Sequence, residues 1–155
     1  MTGSGPIAYP IRQPVMQNVL DKEEQVIVRS ANGTDLKAYN RGRFIKHAGQ
    51  KALIRGNSTM LSGQVSWCPV EETINGTLVF DGALFPPGEI AKLHDKVVLT
   101  MVEGRAVEIS GGPQAQLFKE WMAHWDDANM YRLAHYSMGF NPGVLQPTGR
   151  IVEDE

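Results

Sequence analysis

The chain has 155 residues, of which 42% are hydrophobic and 21% are charged, and its formal net charge is −2. This composition is that of an ordinary globular domain and excludes an intrinsically disordered chain. No apolar run approaches the roughly 20 residues that cross a bilayer, and residues 1–7 lack the features of a secretion signal. Scattered basic residues give no patch for nucleic acid, and a single cysteine, Cys68, excludes a disulfide framework. We therefore expect one cytoplasmic domain, residues 1–155, that binds neither membranes nor nucleic acid.

The first part of the chain predicts an irregular arm and then β-hairpins. Residues 1–14 are rich in glycine and proline and predict the arm, and residues 14–24 predict a short helix. Strands are predicted at 25–30 and 35–39, with Asn32-Gly33 between them as a type I′ turn in which both residues have positive φ. Asn75-Gly76 and Glu103-Gly104 predict two more turns. Further strands are predicted at residues 64–68, 76–81, 96–102 and 105–109.

The hydrophobic period changes after Gly111-Gly112, where a helix is predicted. Pro113 suits its first position, because the missing proline N–H has no helical partner there. Apolar residues at spacings of three and four predict one inward face, formed by Leu117, Phe118, Trp121, Met122 and Trp125. A second helix is predicted over residues 127–134. Because strands come first and helices later, we expect an α+β fold with a mostly antiparallel sheet and two helices in the C-terminal half.

The histidines are the first candidates for chemistry, since they could supply nitrogen ligands to a metal: His47, His94, His124 and His135. His124-Trp125-Asp126 has a spacing used in metal sites, but residues two apart at a helix end do not face the same way. His135 lies between the predicted second helix and a segment broken by glycine and proline, a junction that places a side chain at the rim of a cavity. From the residues alone, a hydrogen-bonded structural histidine is the more frequent case. Cys68, within a predicted strand, is expected to be an inert core thiol.

Several short motifs occur in the same order as in a known metalloenzyme superfamily. They are VRS at 28–30, NGTDL at 32–36, SGQVSWCP at 62–69, GTLVFD at 76–81 and, the most specific, YRLAHYSMGFNP at 131–142. From about residue 26 onward the chain resembles the C-terminal half of that superfamily. It joins the 2,5-dihydroxypyridine 5,6-dioxygenases and the aminopeptidase T-type metallopeptidases.

The resemblance implies a site around His135. In the dioxygenase branch a histidine at this position binds Fe(II), whereas the peptidases have a glutamate there and a second glutamate near the position of Gln64. His135 and Gln64 therefore favour the dioxygenase branch. That branch implies O₂-dependent cleavage of a hydroxylated aromatic or N-heteroaromatic ring. The candidate substrate-binding residues are Gln64 and three aromatics on which a flat ring could stack: Trp67, Tyr136 and Phe140.

The match to the superfamily is partial. Its dioxygenases take a second histidine and a carboxylate from a His-x-Asp motif beyond the matched region, and an α/β domain precedes that region. The resemblance therefore implies an incomplete Fe(II) triad that a homo-oligomer or a complementing chain would complete. Two alternatives stay open. One is a metallopeptidase with another divalent metal such as Zn or Co. The other is a non-catalytic binding or assembly domain, whose signature would be a closed, hydrogen-bonded His135.

Overall fold

Two antiparallel sheets and one helix form the main elements of the computed structural model, which describes residues 24–43, 45–48, 55, 64–139 and 145–149. Only the backbone is described at 45–48 and 64. Helix α1 is Pro113–His124, and 3-10 turns occupy Glu71–Thr73 and Ala128–Tyr131. The strands are β1 Gln25–Arg29, β2 Asp35–Tyr39, β3 Ile45–Ala48, β4 Gln64–Trp67, β5 Asn75–Phe80, β6 Ala83–Leu84, β7 Ala91–Lys92, β8 Val97–Val102, β9 Arg105–Gly111 and β10 Tyr136–Gly139. The predicted α+β fold with a mostly antiparallel sheet is confirmed.

The larger sheet has the order β1-β2-β5-β8-β9, with every neighbouring pair antiparallel. Strand β8 shows why one face is the core, since Val97, Leu99 and Met101 are buried and alternate with more exposed residues. Helix α1 covers this face with its buried residues Ala115, Phe118 and Met122. The hydrophobic core therefore lies between the larger sheet and α1.

Helix α1 begins at Pro113, as predicted, but its inward face is narrower than the sequence pattern suggests. Leu117 is 47% exposed and Trp125 is 55% exposed. A single sheet covers only one stripe of a helix, so the predicted apolar face extends beyond the buried one. Trp121 lies between the buried and the exposed parts of the apolar face. Its ring stacks on the buried Phe118 and makes an edge-to-face contact with the exposed Trp125.

The second predicted helix is wrong: residues 127–134 form only the 3-10 turn Ala128–Tyr131. Asp126 has a φ of 45°, which ends α1, and the Asp127 carboxylate accepts a hydrogen bond from the Asn129 N–H at 2.8 Å. The chain then continues along the β8–β9 hairpin, where the Leu133 N–H donates to the Gly104 carbonyl at 2.9 Å. This extended segment leads directly into β10.

The predicted turns have mixed outcomes. Asn32-Gly33 does connect two paired strands, but the type I′ turn is wrong, because only Gly33 has a positive φ and the connection runs over residues 30–34. The Asn32 amide instead anchors this loop, donating to the Val79 carbonyl and accepting from the Thr34 N–H. The two-residue turn with both φ values positive occurs at Glu103-Gly104, between β8 and β9.

Asn75-Gly76, predicted as a turn, lies inside β5 instead. Gly76 pairs with Leu36 in the neighbouring strand and has a φ of 122°. A Cβ at this position would overlap the carbonyl oxygen of Asp35. The glycine is needed for close approach of two strands, and a local pattern cannot distinguish this need from that of a turn.

The remaining predictions about the ends of the chain are not tested. The irregular arm at 1–14 and the helix at 14–24 fall on residues outside the described ranges, except for Glu24, and Phe140 also lies outside them. The single domain 1–155 stays a prediction. In the part of the chain that the structure describes, no helix is both long enough and apolar enough to cross a membrane.

Candidate functional site

Four of the five candidate site residues lie in or beside the smaller sheet, which has the order β10-β4-β3. Its register pairs Tyr136 with Trp67, and Gly139 with Gln64. Directly opposite residues of neighbouring strands share one face of a sheet, and successive residues alternate between faces. The inner face therefore carries Val65, Trp67, Tyr136 and Met138, which pack together, and the outer face carries Ser66 and Ser137.

The two aromatic candidates form a contact on the inner face. The ring centroids of Trp67 and Tyr136 lie 5.4 Å apart, edge to face at 76°. Trp67 is 2% exposed and Tyr136 is half-buried. Neither the Trp67 indole N–H nor the Tyr136 hydroxyl has a hydrogen-bond partner in the described part of the chain. Burial raises the pKa of Tyr136 to about 12, so both rings carry a neutral, unpaired donor.

The outer face is polar, and at its centre the Ser66 and Ser137 hydroxyls form a hydrogen bond of 2.9 Å across the two strands. Gln64 occupies a position on this face, opposite Gly139. Gly139 is four residues beyond His135, a separation of about 13 Å along a strand. The register therefore places Gln64 and His135 at opposite ends of the β4–β10 pair.

His135 directly precedes β10 and is exposed. Its backbone is restrained on both sides: Leu133 is bonded to Gly104, and Tyr136 enters the β10–β4 pairing. Between these points, the Cys68 thiol donates to the Ala134 carbonyl at 2.7 Å. Cys68 is only partly buried and directly follows β4, so the prediction of a core thiol within a strand is wrong. The His135 imidazole makes no hydrogen bond to another described residue. It is an exposed side chain on a restrained backbone.

Charged and titratable groups surround the peptide that precedes His135. The Cys68 Sγ lies 3.3 Å from Glu71 Oε1, and Glu71 forms an ion pair with Arg43. Burial, together with the hydrogen bond and the negative charge of Glu71, raises the pKa of the Cys68 thiol. The pKa of Glu71 is lowered by its own backbone N–H, then by the Cys68 thiol and by Arg43. At neutral pH, Cys68 is therefore a protonated thiol and Glu71 is a carboxylate.

The described residues contain no group of three histidine, cysteine, aspartate or glutamate side chains that could hold a metal ion. His135 offers one imidazole, whereas a facial triad needs three ligands.

Comparisons with known proteins agree with the resemblance seen in the motifs. The sequence profile of the 2,5-dihydroxypyridine 5,6-dioxygenases matches residues 12–146. The 2,5-dihydroxypyridine dioxygenase of Pseudomonas putida KT2440 superposes with a TM-score of 0.73 at 23% identity, over 85% of this chain and 38% of that one. Wild-type AmpT from Thermus thermophilus superposes with a TM-score of 0.63 at 16% identity, over 92% of this chain and 36% of that one. A comparison with curated proteins finds no match.

The two structural likenesses establish the fold, and the chain spans well under half the length of either protein. The profile match covers most of the chain, including β4, β10 and His135. On that ground, the chain belongs to the 2,5-dihydroxypyridine 5,6-dioxygenase family.

Proposed function

We propose that this chain is part of an Fe(II)-dependent dioxygenase that uses O₂ to cleave a hydroxylated aromatic or N-heteroaromatic ring. Family membership over residues 12–146 supports this activity. The substrate class is that of the family, and the activity belongs to an assembly larger than the described residues.

The observation that carries the proposal is the state of His135. Its imidazole is exposed and free of hydrogen bonds to the described residues, while the backbone around it is held by Gly104, Cys68 and β4. A metal ligand needs such a combination, because an accessible nitrogen on a restrained backbone loses little entropy on binding. We propose that His135 supplies one ligand. The other ligands would come from a second copy, a complementing chain or residues outside the described ranges.

The substrate-binding residues also remain proposals: Gln64, Trp67, Tyr136 and Phe140. Trp67 and Tyr136 lie on the inner face, where they pack on Val26 and Val65. This placement favours a supporting role, in which the two rings pack beneath the sheet and fix β4 relative to β10. Gln64 occupies a position on the outer face with Ser66 and Ser137, at the end of the β4–β10 pair away from His135, so a contact there would be to the part of the substrate remote from the metal.

A metallopeptidase is the second candidate, and the donor groups do not favour it. Such an enzyme needs several carboxylate ligands in one place. The β4 position offers Gln64, an amide, where the resemblance implies a glutamate in the peptidases. The fold likeness to AmpT alone does not carry an activity.

The test is an anaerobic Fe(II) titration of the chain by calorimetry at low and high protein concentration, with Zn and Co in parallel. We expect His135→Ala to weaken Fe(II) binding at least tenfold. Mutating a residue that only hydrogen-bonds to a metal ligand already lowers metal affinity by about 10- to 100-fold. His124→Ala is the matched control, because His124 is also exposed. Affinity that rises with protein concentration would indicate a site completed by a second copy. Measurable Fe(II) binding that is equally tight in His135→Ala and the wild type would overturn the proposal.

A further inference from the structure

We propose that Cys68 is a positioning residue for His135. Its thiol holds the peptide that precedes the histidine by donating a hydrogen bond to the Ala134 carbonyl. The inference rests on the proposed function, in which His135 is the functional side chain.

The register explains why Cys68 can do this. The β4–β10 pairing ends at Trp67 and Tyr136, so the next residues along, Cys68 and His135, lie opposite each other just beyond the last paired residues. No ladder hydrogen bond continues the sheet there. The Sγ–O contact of 2.7 Å between Cys68 and Ala134 takes its place. A side chain therefore extends the strand pairing to the residue that bears the imidazole.

The surroundings of Cys68 keep its proton available for donation. The thiol proton has two acceptors close by, the Ala134 oxygen at 2.7 Å and Glu71 Oε1 at 3.3 Å, so the thiol lies between the peptide before His135 and the carboxylate. The Glu71 carboxylate, held by Arg43, disfavours a negative thiolate beside it. Cys68 thus remains a donor at neutral pH.

The other restraints on this segment leave a gap that only Cys68 spans among the described residues. The hydrogen bond from Leu133 to Gly104 holds the chain before the gap, and the strand pairing of Tyr136 holds it afterwards. Ala134 and His135 are both exposed, so packing does not restrain them. Loss of the thiol donor would free the two residues that set the direction of the imidazole.

The experiment uses the full, metal-free chain as wild type, Cys68→Ala and Cys68→Ser. Amide hydrogen exchange is followed at Leu133 and at residues 136–139, together with the ¹⁵N order parameter and the imidazole NMR signals of His135. We expect Cys68→Ala to accelerate exchange in this segment about two- to fivefold, the value of one weak S–H···O hydrogen bond, and to lower the His135 order parameter. Exchange in β8 and β9 stays unchanged. Cys68→Ser, which keeps a donor, restores the wild-type values.

Unchanged exchange in Cys68→Ala, or a serine variant as mobile as the alanine one, would overturn the inference. If Cys68→Ala does not fold, Cys68→Val replaces it, since valine fills a similar volume without a donor. Repeating the Fe(II) titration on the same variants separates the two proposals. Faster exchange in Cys68→Ala that Cys68→Ser reverses would support positioning by Cys68. If Fe(II) binding is at the same time unchanged by His135→Ala, the metal role of His135 is contradicted while the positioning by Cys68 stands.

Discussion

At the scale of single residues, the unusual feature is a set of buried polar groups without partners. They are the amide of Asn40, the indole N–H of Trp67 and the hydroxyl of Tyr136, counted among the described residues. Asn40 is 4% exposed and directly follows β2, and Trp67 ends β4. Each buried polar atom that lacks a hydrogen bond costs about 1–3 kcal/mol. These groups therefore oppose the stability that the surrounding apolar residues provide.

Replacing Tyr136 with phenylalanine should stabilise the protein by about 1 kcal/mol, because it removes a buried hydroxyl without a partner and keeps the ring contact with Trp67. Urea unfolding at neutral pH measures this change in the free energy of unfolding.

The stability that Tyr136 contributes should also depend on pH, because the folded protein holds the phenol proton more tightly than the unfolded chain. The associated stability is therefore complete below the ordinary pKa of 10.0 and is lost as the pH rises towards about 12. The fall in stability over that pH range should be shallower in Tyr136→Phe. Identical slopes for the two proteins would contradict the burial of this hydroxyl.

At the scale of elements, the β8–β9 turn is a junction for the candidate site. Gly104 donates its N–H to the Ile74 carbonyl and accepts at its own carbonyl from Leu133, two residues before His135. Its φ is 78°, and a Cβ there would overlap the carbonyl oxygen of Glu71. The same glycine therefore closes a hairpin and lets the Glu71–Thr73 turn approach it.

We expect Gly104→Ala to lower the free energy of unfolding by about 3 kcal/mol or more, because backbone strain at positive φ adds to a clash with fixed backbone. Gly42→Ala is the matched control. Gly42 has a φ of 70°, but a Cβ added there would have nothing within 4 Å, so only the strain of about 1–2 kcal/mol applies. Denaturant unfolding of both variants measures the difference. Equal losses would mean that the close approach of Glu71 is not important.

At the scale of the whole molecule, two hydrophobic clusters are joined by shared residues. The larger lies between the five-stranded sheet and α1, and the smaller contains Val26, Val65 and Trp67. Val28 and Tyr136 pack against both clusters. Side chains common to two clusters couple their stabilities, which supports the expectation of one domain.

We therefore expect the two sheets to unfold in a single transition. Tryptophan fluorescence can test this, because Trp67 belongs to the smaller cluster and Trp121 packs on the larger one. One variant keeps Trp67 as its single tryptophan, and another lacks only Trp67. In each variant, the denaturation midpoint from tryptophan fluorescence should equal the midpoint from circular dichroism. An earlier transition reported by Trp67 would indicate that the smaller sheet unfolds separately.

Much of the fold could be predicted from local patterns. Alternation located β4, apolar runs beside turn residues located β5, β8 and β9, and the proline after two glycines located the start of α1. The second helix failed because Asp126 takes a positive φ and Asp127 caps a 3-10 turn instead of a longer helix. Asn75-Gly76 failed because a glycine required for close strand approach resembles a glycine required for a turn.

For the candidate site, too, some features could be predicted from the sequence and others could not. The motif around His135 identified the segment and the family, since both depend on the order of residues along the chain. The contact between Cys68 and Ala134 joins residues 66 positions apart, and nothing local signals it except that Cys68 directly follows β4. The division of the site between two sheet faces also depends on which strands become neighbours.

By itself, the sequence determined the class of fold, the strands of the larger sheet, the start of the helix and the family, because periodicity, turn chemistry and motif order are local properties. Only the tertiary structure decided that Trp67 and Tyr136 face the interior, that His135 is exposed, and that Cys68 restrains the peptide before it. Those outcomes depend on the β4–β10 register, in which a shift of one residue would exchange the two faces.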